Sequence, residues 1–429
     1  MNNQKVELLS PAGNLEKLKI AIKYGADAVY AGVSHFSLRI RAGKEFTFET
    51  FKEGIDYAHA HGKKVYATIN GFPFNSQIEL LKKHIATMAA LKPDAFIVAA
   101  PGVVKLCREI APQIDIHLST QANVLNYLDA QVYWDMGVKR IVVAREISLK
   151  DVTEIKKHLP DMEIEIFVHG SMCFAYSGRC LVSAVQMGRV PNRGSCANDC
   201  RFQYTLYAAN EDHNTLFRLE EEPGVGTYIF NSKDMNLASH IKEILDSGAV
   251  DSLKIEGRTK SPYYAAVTAK AYRNAIDDYY VGKFEPDLYQ KELHTTKNRG
   301  FTDAYLIHRP FEKTDSQNHD YALSKGSYEV TGLVTEDEEH FFCKYKVYPN
   351  EDIEIFTPND EVLHECENEI GKIFKKDDGL YYINFKKILT ETNKELESVH
   401  SGNINKIKLP GKLPYLTMFR VENIDQIVE

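Results

Sequence analysis

One phrase recurs along roughly the first 260 residues: a helix end, a Gly or Pro, then a short run of β-branched and small apolar residues. Its instances are Gly25-Ala-Asp-Ala-Val-Tyr-Ala-Gly32, His61-Gly-Lys-Lys-Val-Tyr-Ala-Thr-Ile-Asn70, Lys92-Pro-Asp-Ala-Phe-Ile-Val-Ala-Ala100, Gly137-Val-Lys-Arg-Ile-Val-Val-Ala-Arg-Glu146 and Gly248-Ala-Val-Asp-Ser-Leu-Lys-Ile-Glu-Gly257. A Gly at the helix end accepts the left-handed turn, and the run behind it reads as a strand buried on both faces. Further runs at Glu7-Leu8-Leu9, Ile114–Leu118 and Glu163–Val168 bring the count to eight. Between them lie helical patterns: Asn14 can cap a helix with Leu15, Leu18 and Ile22 on one face, ended by Gly25. Eight alternating β and α units specify an α/β fold of the (β/α)8, TIM-like barrel type. A doubly wound open sheet is the rival, and usually carries G-x-G-x-x-G after its first strand. Here that turn reads Ser10-Pro-Ala-Gly-Asn14.

The seventh run ends near residue 169 and the eighth begins near 252. The gap between them is an insertion at about 170–230, with a hairpin expected at Arg201–Tyr207. An insertion after a strand lies on the C-terminal face, where barrels place their active sites. The helix Ser261–Tyr280 closes the barrel, which spans 1–310; residues 311–323 read as a linker. From 324 to 429 the pattern alternates with period two, in runs such as Tyr328–Val334, His340–Val347, Glu351–Phe356 and Tyr381–Phe385. This predicts a C-terminal small all-β barrel of five to seven strands.

The insertion holds four of the seven cysteines, Cys173, Cys180, Cys196 and Cys200, spaced C-x6-C-x15-C-x3-C. The N-terminal residues contain no apolar signal core, and no run approaches the roughly 18 apolar residues of a membrane span. The expectation is a cytoplasmic protein whose thiols stay reduced and free to bind metal. Zinc sites usually pair their ligands as C-x2–4-C at both ends of a loop. Only Cys196 and Cys200 form such a pair, so zinc and an iron–sulfur cluster both stay open on spacing. The C-x3-C-x2-C pattern of radical-SAM proteins is absent. Cys107, Cys343 and Cys366 are scattered and read as packed or surface thiols.

Glu165-Ile-Phe-Val-His-Gly-Ser-Met-Cys-Phe-Ala-Tyr-Ser-Gly-Arg-Cys-Leu-Val-Ser183 resembles the signature of the U32 peptidase family. Glu7–Gly13, Gly25–Gly32, Asn192–Arg201 and Ser252–Arg258 are similar to that family too, so the resemblance covers nearly the whole chain. It implies two activities. Some members are described as collagenase-like proteases. Others are prephenate-dependent hydroxylation proteins with a 4Fe–4S cluster, acting on tRNA wobble uridine, ribosomal RNA or a quinone precursor. Chain length and Asn231-Ser-Lys-Asp234 look most like the tRNA branch, which makes 5-hydroxyuridine. The resemblance implies that Cys173, Cys180, Cys196 and Cys200 hold the cluster, with their sulfurs converging on one point. Zinc is the lesser alternative. A peptidase is the second functional reading, although His-Glu-x-x-His and Gly-x-Ser-x-Gly are both absent. A cysteine protease would need a pairing such as one of these thiols with His169.

Asn70, Gln121, Arg145, Glu146, His169, Lys254, Glu256 and Arg258 fall at or just past strand ends, which in a barrel face the mouth. Prephenate is a dicarboxylate, and Arg145, Lys254 and Arg258, with Asn70 and Gln121, are the residues expected to bind it. Glu256, Glu146 and His169 are the candidate acids and bases; His169 reads equally well as a satisfied core histidine, and the cations as barrel-rim ion pairs. The net charge of −8 argues against a generic nucleic-acid binder and leaves room for a local basic patch. Lysines of the β module, among them Lys344, Lys376, Lys386 and Lys406, read as a contact for tRNA or as a solvated charged face. A partner protein is left open.

Overall fold

The computed structural model describes residues 5–33, 36–38, 46–202, 204–205, 207–210, 215–218, 231–308, 316–318, 326–358 and 361–422. Seven parallel strands follow one another around a ring: β1 Glu7–Pro11, β2 Ala28–Ala31, β3 Lys64–Ile69, β4 Ala95–Val98, β5 Asp115–Leu118, β6 Arg140–Val142 and β7 Glu163–Ser171. The strand Ser252–Ile255 closes it, pairing with β1 through Leu8↔Leu253 and with β7 through Leu253↔Ile166. The eight strands are the eight runs read from the sequence. Asn14 caps the first helix, its Oδ1 accepting from Lys17 N at 2.9 Å, and Gly25 leaves that helix at φ +109°. The fourth unit has no Gly at this place, and Lys92 takes the left-handed turn itself at φ +62°. Ser261 caps the closing helix Pro262–Tyr280.

Helices cover the outside of the ring with Leu18, Phe51, Ile85, Val104, Val152 and Ile276, all buried against the strands. The inside differs from the usual apolar layers. Arg140 donates to Glu7 Oε1 at 2.5 Å, Glu163 Oε2 at 2.8 Å and Glu165 Oε2 at 3.1 Å. Glu165, fully buried, also accepts from Lys254 Nζ at 2.7 Å. Tyr66 and Ser252 hydroxyls donate to Glu7 at 2.6 and 3.1 Å. Residues from β1, β3, β6, β7 and the closing strand thus share one ionic network.

The short strand Asp234–Asn236 runs antiparallel along the end of β7, pairing Asp234 with Ser171 and Asn236 with His169. Phe301–Thr302 lies beside it, and the buried Arg299 and Asp234 side chains form an ion pair. The expected hairpin is present but lies later, as Tyr207–Asn210 against Thr215–Arg218. Residues 211–214 and 219–230 fall outside the described residues, as does most of the 311–323 linker. Gln317 bridges to Ser232, and Asn318 N donates to Asn231 O at 2.8 Å.

The C-terminal module is a curled antiparallel sheet of eight strands, in the order Cys366–Glu367, Gly371–Lys375, Tyr381–Phe385, Asp352–Phe356, Met418–Glu422, Tyr328–Val334, His340–Cys343 and Ile407–Lys408. It therefore has more strands than the five to seven expected. Among the described residues no ladder joins its two end strands, so the all-β unit curls without closing. A register shift between Val330 and Gly332 supplies part of the curl. Phe341, Phe385 and Phe419 fill the concave side. The sheet packs on the barrel through Tyr24, whose hydroxyl donates to the carbonyls of Phe356 and Leu416 at 2.9 and 3.0 Å. Arg420 adds ion pairs to Glu354 within the sheet and Glu292 on the barrel side. Among the described residues no helix is long and apolar enough to cross a membrane.

Removing one member of a buried ion network strands the rest. Arg140→Ala is expected to destabilise the fold by roughly 3–5 kcal/mol, read as a lowered urea midpoint and Tm. A loss below about 1 kcal/mol, the level of a surface pair, would mean that the network is dispensable.

Candidate active site at the barrel mouth

The segment after β7 folds back over the mouth and is held there by named contacts. Ser177 N donates to Glu146 Oε1 at 2.9 Å, and Arg145 N donates to Ser177 Oγ at 3.3 Å. Asn192 Nδ2 donates to the Gly178 carbonyl at 2.8 Å, stapling the segment to itself. At Gly178 a Cβ would come within 2.5 Å of the Gln121 carbonyl oxygen, and φ is +72°, so only Gly lets the segment seat this closely on β5's end.

Beneath it lies a cavity of about 180 Å³. Asn70, Gln121, Arg145, Lys254, Glu256 and Arg258 line it, and so do Cys173, Cys180, Cys196 and Cys200. Ten of the twelve residues singled out in the sequence therefore share one wall-to-wall space. A second cavity, about 490 Å³, opens where the start of the Pro262–Tyr280 helix meets the strand Tyr328–Val334, and none of the cysteines lines it.

Three cations are fixed in the mouth. Lys254 Nζ is bound to Glu165 and lies 4.4 Å from the centre of the Tyr30 ring. The Arg145 guanidinium stacks 3.9 Å from the Phe167 ring centre, with Glu256 Oε2 at 3.8 Å. Arg258 donates to Ser37 Oγ at 2.8 Å, Thr68 Oγ1 at 3.2 Å and the Leu38 carbonyl. Arg258 is thus not the lightly packed rim residue that strand-end position suggests. It is buried and clasps the loop after β2. Gln121 is buried at the wall, and its Nε2 has no hydrogen-bond partner among the described residues.

Two candidates are placed elsewhere. Glu146 does not line the cavity; its side chain grips Ser177 as described. His169 is also absent from the wall. The pairing of β7 with the closing strand slips between Lys254↔Phe167 and Ile255↔His169. A one-residue slip turns the following side chain to the opposite face. Phe167 therefore points into the barrel, and His169 points outward among Tyr264, Tyr272 and Phe301, ring centres 5.5–5.8 Å away. Burial pushes its pKa down to about 3. It is the satisfied core histidine, and no dyad with the thiols can be built on it.

All seven described cysteines are free; Cys107 and Cys343 are buried, as expected of packed thiols. Burial raises the pKa of Cys180 and of Cys200, and the neighbouring thiols raise both further. The expected convergence of the four sulfurs on one point is not met: among the described residues no three Cys, His, Asp or Glu side chains stand close enough to hold a metal ion as they are. The donor set nonetheless suits a thiolate-ligated cluster: four soft donors, none in a disulfide, around one cavity. Asp199, between Asn198 and Cys200, is buried with neither carboxylate oxygen partnered among the described residues.

Tyr30, Thr68, Ser119 and Arg201 line the cavity too and were not among the sequence candidates. Tyr30 and Thr68 sit near the ends of β2 and β3, so the strand-end rule that found Asn70 would have found them. Arg201 follows directly on Cys200; burial, then the neighbouring Arg299, lowers its pKa.

The model of peptidase family U32 matches residues 13–316. A protein of Helicobacter pylori named tRNA hydroxylation protein P is 64% identical over 97% of this chain and 99% of its own length. The protein of that name from Escherichia coli is 39% identical, over 86% and 90%. A Porphyromonas gingivalis protein named collagenase is 31% identical, over 72% of this chain and 75% of its own.

Two outcomes follow from these placements. His169 folds with its pKa depressed from 6.5, so its contribution to stability is present above pH 6.5 and is lost as pH falls from there towards 3. In NMR titrations its imidazole signals, assigned by difference with His169→Gln, should stay those of the neutral ring between pH 5 and 8. A midpoint near 6.5 would place His169 in solvent. Arg258→Ala should lower Tm as well as any activity, by about 2–3 kcal/mol of stability, because hydrogen bonds from a charged donor are lost at a buried site. An unchanged Tm would return Arg258 to the open rim.

Proposed function

The chain belongs to peptidase family U32, and from that membership we propose that it is a tRNA-modifying enzyme that hydroxylates the wobble uridine to 5-hydroxyuridine. The observation that carries the reading is the shared cavity: four free thiols and three fixed cations face one small space at the mouth of the barrel. The names of the two tRNA hydroxylation relatives support the choice of RNA and reaction, and they align with nearly all of this chain.

Hydroxylation replaces the C5–H of uridine with C5–OH; it takes either water together with an acceptor for two electrons and two protons, or a co-reactant that donates oxygen at the oxidant level, which side chains alone do not supply. Cys173, Cys180, Cys196 and Cys200 would hold a 4Fe–4S cluster, which supplies electron transfer when bound. The chain's own residues bind and orient. Arg145, Lys254 and Arg258 offer fixed positive charge to a dicarboxylate such as prephenate, the proposed co-substrate. Their partners Phe167, Glu165 and Ser37 hold them in place, so little ordering is left for binding to impose. Gln121 Nε2 offers an unused donor to a ligand oxygen. Glu256 is the carboxylate at the wall and remains the candidate for moving a proton, with the Tyr30 hydroxyl 3.3 Å from its Oε2. The segment over the mouth limits bulk water in a space of about 180 Å³.

The peptidase reading lacks a constellation of its own. Among the described residues the thiols have no histidine beside them at the cavity wall, since His169 faces outward.

Hydrolysates of tRNA from cells lacking the gene should have lost 5-hydroxyuridine and nucleosides built on it, with complementation restoring them. Unchanged levels, in a strain without a second such enzyme, overturn the proposal. Anaerobically purified protein should contain about four irons and four sulfides per chain, and Cys200→Ser should lose most of both. Stoichiometric zinc without sulfide would replace the cluster by the lesser alternative.

A further inference from the structure

The segment that roofs the mouth is chemically unlike the rest of the chain. The whole protein carries a net charge of −8, yet residues 172–202 hold four arginines, no lysine and a single acid, Asp199. That one acid is buried; of the arginines Arg179 is exposed, Arg189 and Arg193 are half-buried, and Arg201 turns into the cavity, so the exposed charge of the segment is positive. The same face is apolar. Phe174, Tyr176, Leu181, Val185, Met187 and Phe202 are all exposed, Val185 at 82% and Leu181 at 66%. Phe74 joins them from the loop after β3, 59% exposed, with the Arg193 guanidinium 3.9 Å from its ring centre. Arg193 is fixed there by a bond from its Nη2 to Gln77 Oε1 at 2.9 Å. Exposed apolar side chains scattered singly need no explanation; six on one 31-residue segment, two of them at the edge of a cavity, do.

We infer that this rim is the surface on which an unpaired loop of the substrate RNA docks, its bases stacking on the aromatic side chains and its phosphates meeting the arginines. The inference rests on the tRNA reading above and adds the place and the mode of contact. Stacking platforms flanked by Arg are the general solution for single-stranded RNA, because every base has a flat face and the guanidinium plane both stacks and pairs with phosphate. Phe174 and Tyr176 line the cavity as well as the rim, so a base stacked there stands at the entrance. An enclosed site of this kind can act only on a base already out of its helix. In the β module, Lys344, Lys376, Lys386 and Lys406 are already in ion pairs with Glu16, Asp352, Glu367 and Asp337 and fit the role less well.

The test is equilibrium binding of the full-length, cluster-loaded protein to an unmodified tRNA transcript, a stem–loop RNA and a fully paired duplex of equal length. Wild-type protein should prefer the stem–loop to the duplex by about tenfold or more, as unpaired bases supply the stacking. Val185→Asp, a change at an exposed site that leaves the fold and iron content intact, should weaken tRNA binding at least about tenfold. Tyr176→Ala should weaken it similarly without altering the salt slope, whereas Arg179→Ala should reduce that slope by about 0.7. Lys376→Glu and Lys386→Glu in the β module should bind as wild type. If wild-type protein binds tRNA and the rim variants bind equally well, or if duplex and stem–loop bind alike, the docking surface is overturned while the tRNA reading stands. If wild-type protein binds no tRNA, both fall.

Discussion

A charged network inside a parallel barrel is an expensive thing to build. Arg140 has almost no access to water, and its guanidinium meets three carboxylates, Glu7 from β1 and Glu163 and Glu165 from β7. Desolvating such groups offsets much of their attraction, so their value to stability alone is small; their value is in fixing geometry. Each strand contributing to the network is locked in register against the others, because a one-residue slip would send a charge to the apolar face under the helices. Lys254 is the upper end of this network and the floor of the mouth. The site is therefore braced from below by the core itself.

The roof is held by lighter means. Glu146 and Arg145 grip Ser177, Asn192 closes the segment on Gly178, and Gly178 lies against Gln121. These are single hydrogen bonds and one close backbone approach. The floor is braced by the core, then, while the thiol-bearing roof depends on a few polar contacts. The buried Asp199, unpartnered among the described residues, fits that division, since a polar group without partners adds nothing to the roof by itself.

The barrel was legible because its signal is repetitive: a turn residue, then a short apolar run, eight times over. Strand ends then pointed to the mouth, and Asn70, Gln121, Arg145, Lys254, Glu256 and Arg258 all reached it. His169 did not, because a slip in pairing leaves no trace in the residues that make it; Glu163-Ile-Glu-Ile-Phe-Val-His169 reads as unbroken alternation. Glu146 missed the wall for a related reason. Position past a strand says which end of the barrel a residue occupies, not whether its side chain faces the cavity or a neighbouring loop. The interior network was invisible too, as Glu7, Arg140 and Glu165 look like ordinary polar breaks in short strands. The C-terminal strands were readable one by one, but their number and closure depend on pairings between distant runs.

The ring closes only when Ser252–Ile255 pairs with β1 on one side and β7 on the other. During synthesis the cysteine segment, which precedes that strand, leaves the ribosome before closure can occur. For that interval β1 to β7 form an open sheet with two free edges, and the thiols hang from one of them, reachable from both sides. Long-range pairing of this kind is slow, since the entropy of closing so large a loop is lost before the contacts form. The order of the chain thus leaves Cys173, Cys180, Cys196 and Cys200 open to chemistry from both sides for a window that shuts when the last strand slots in.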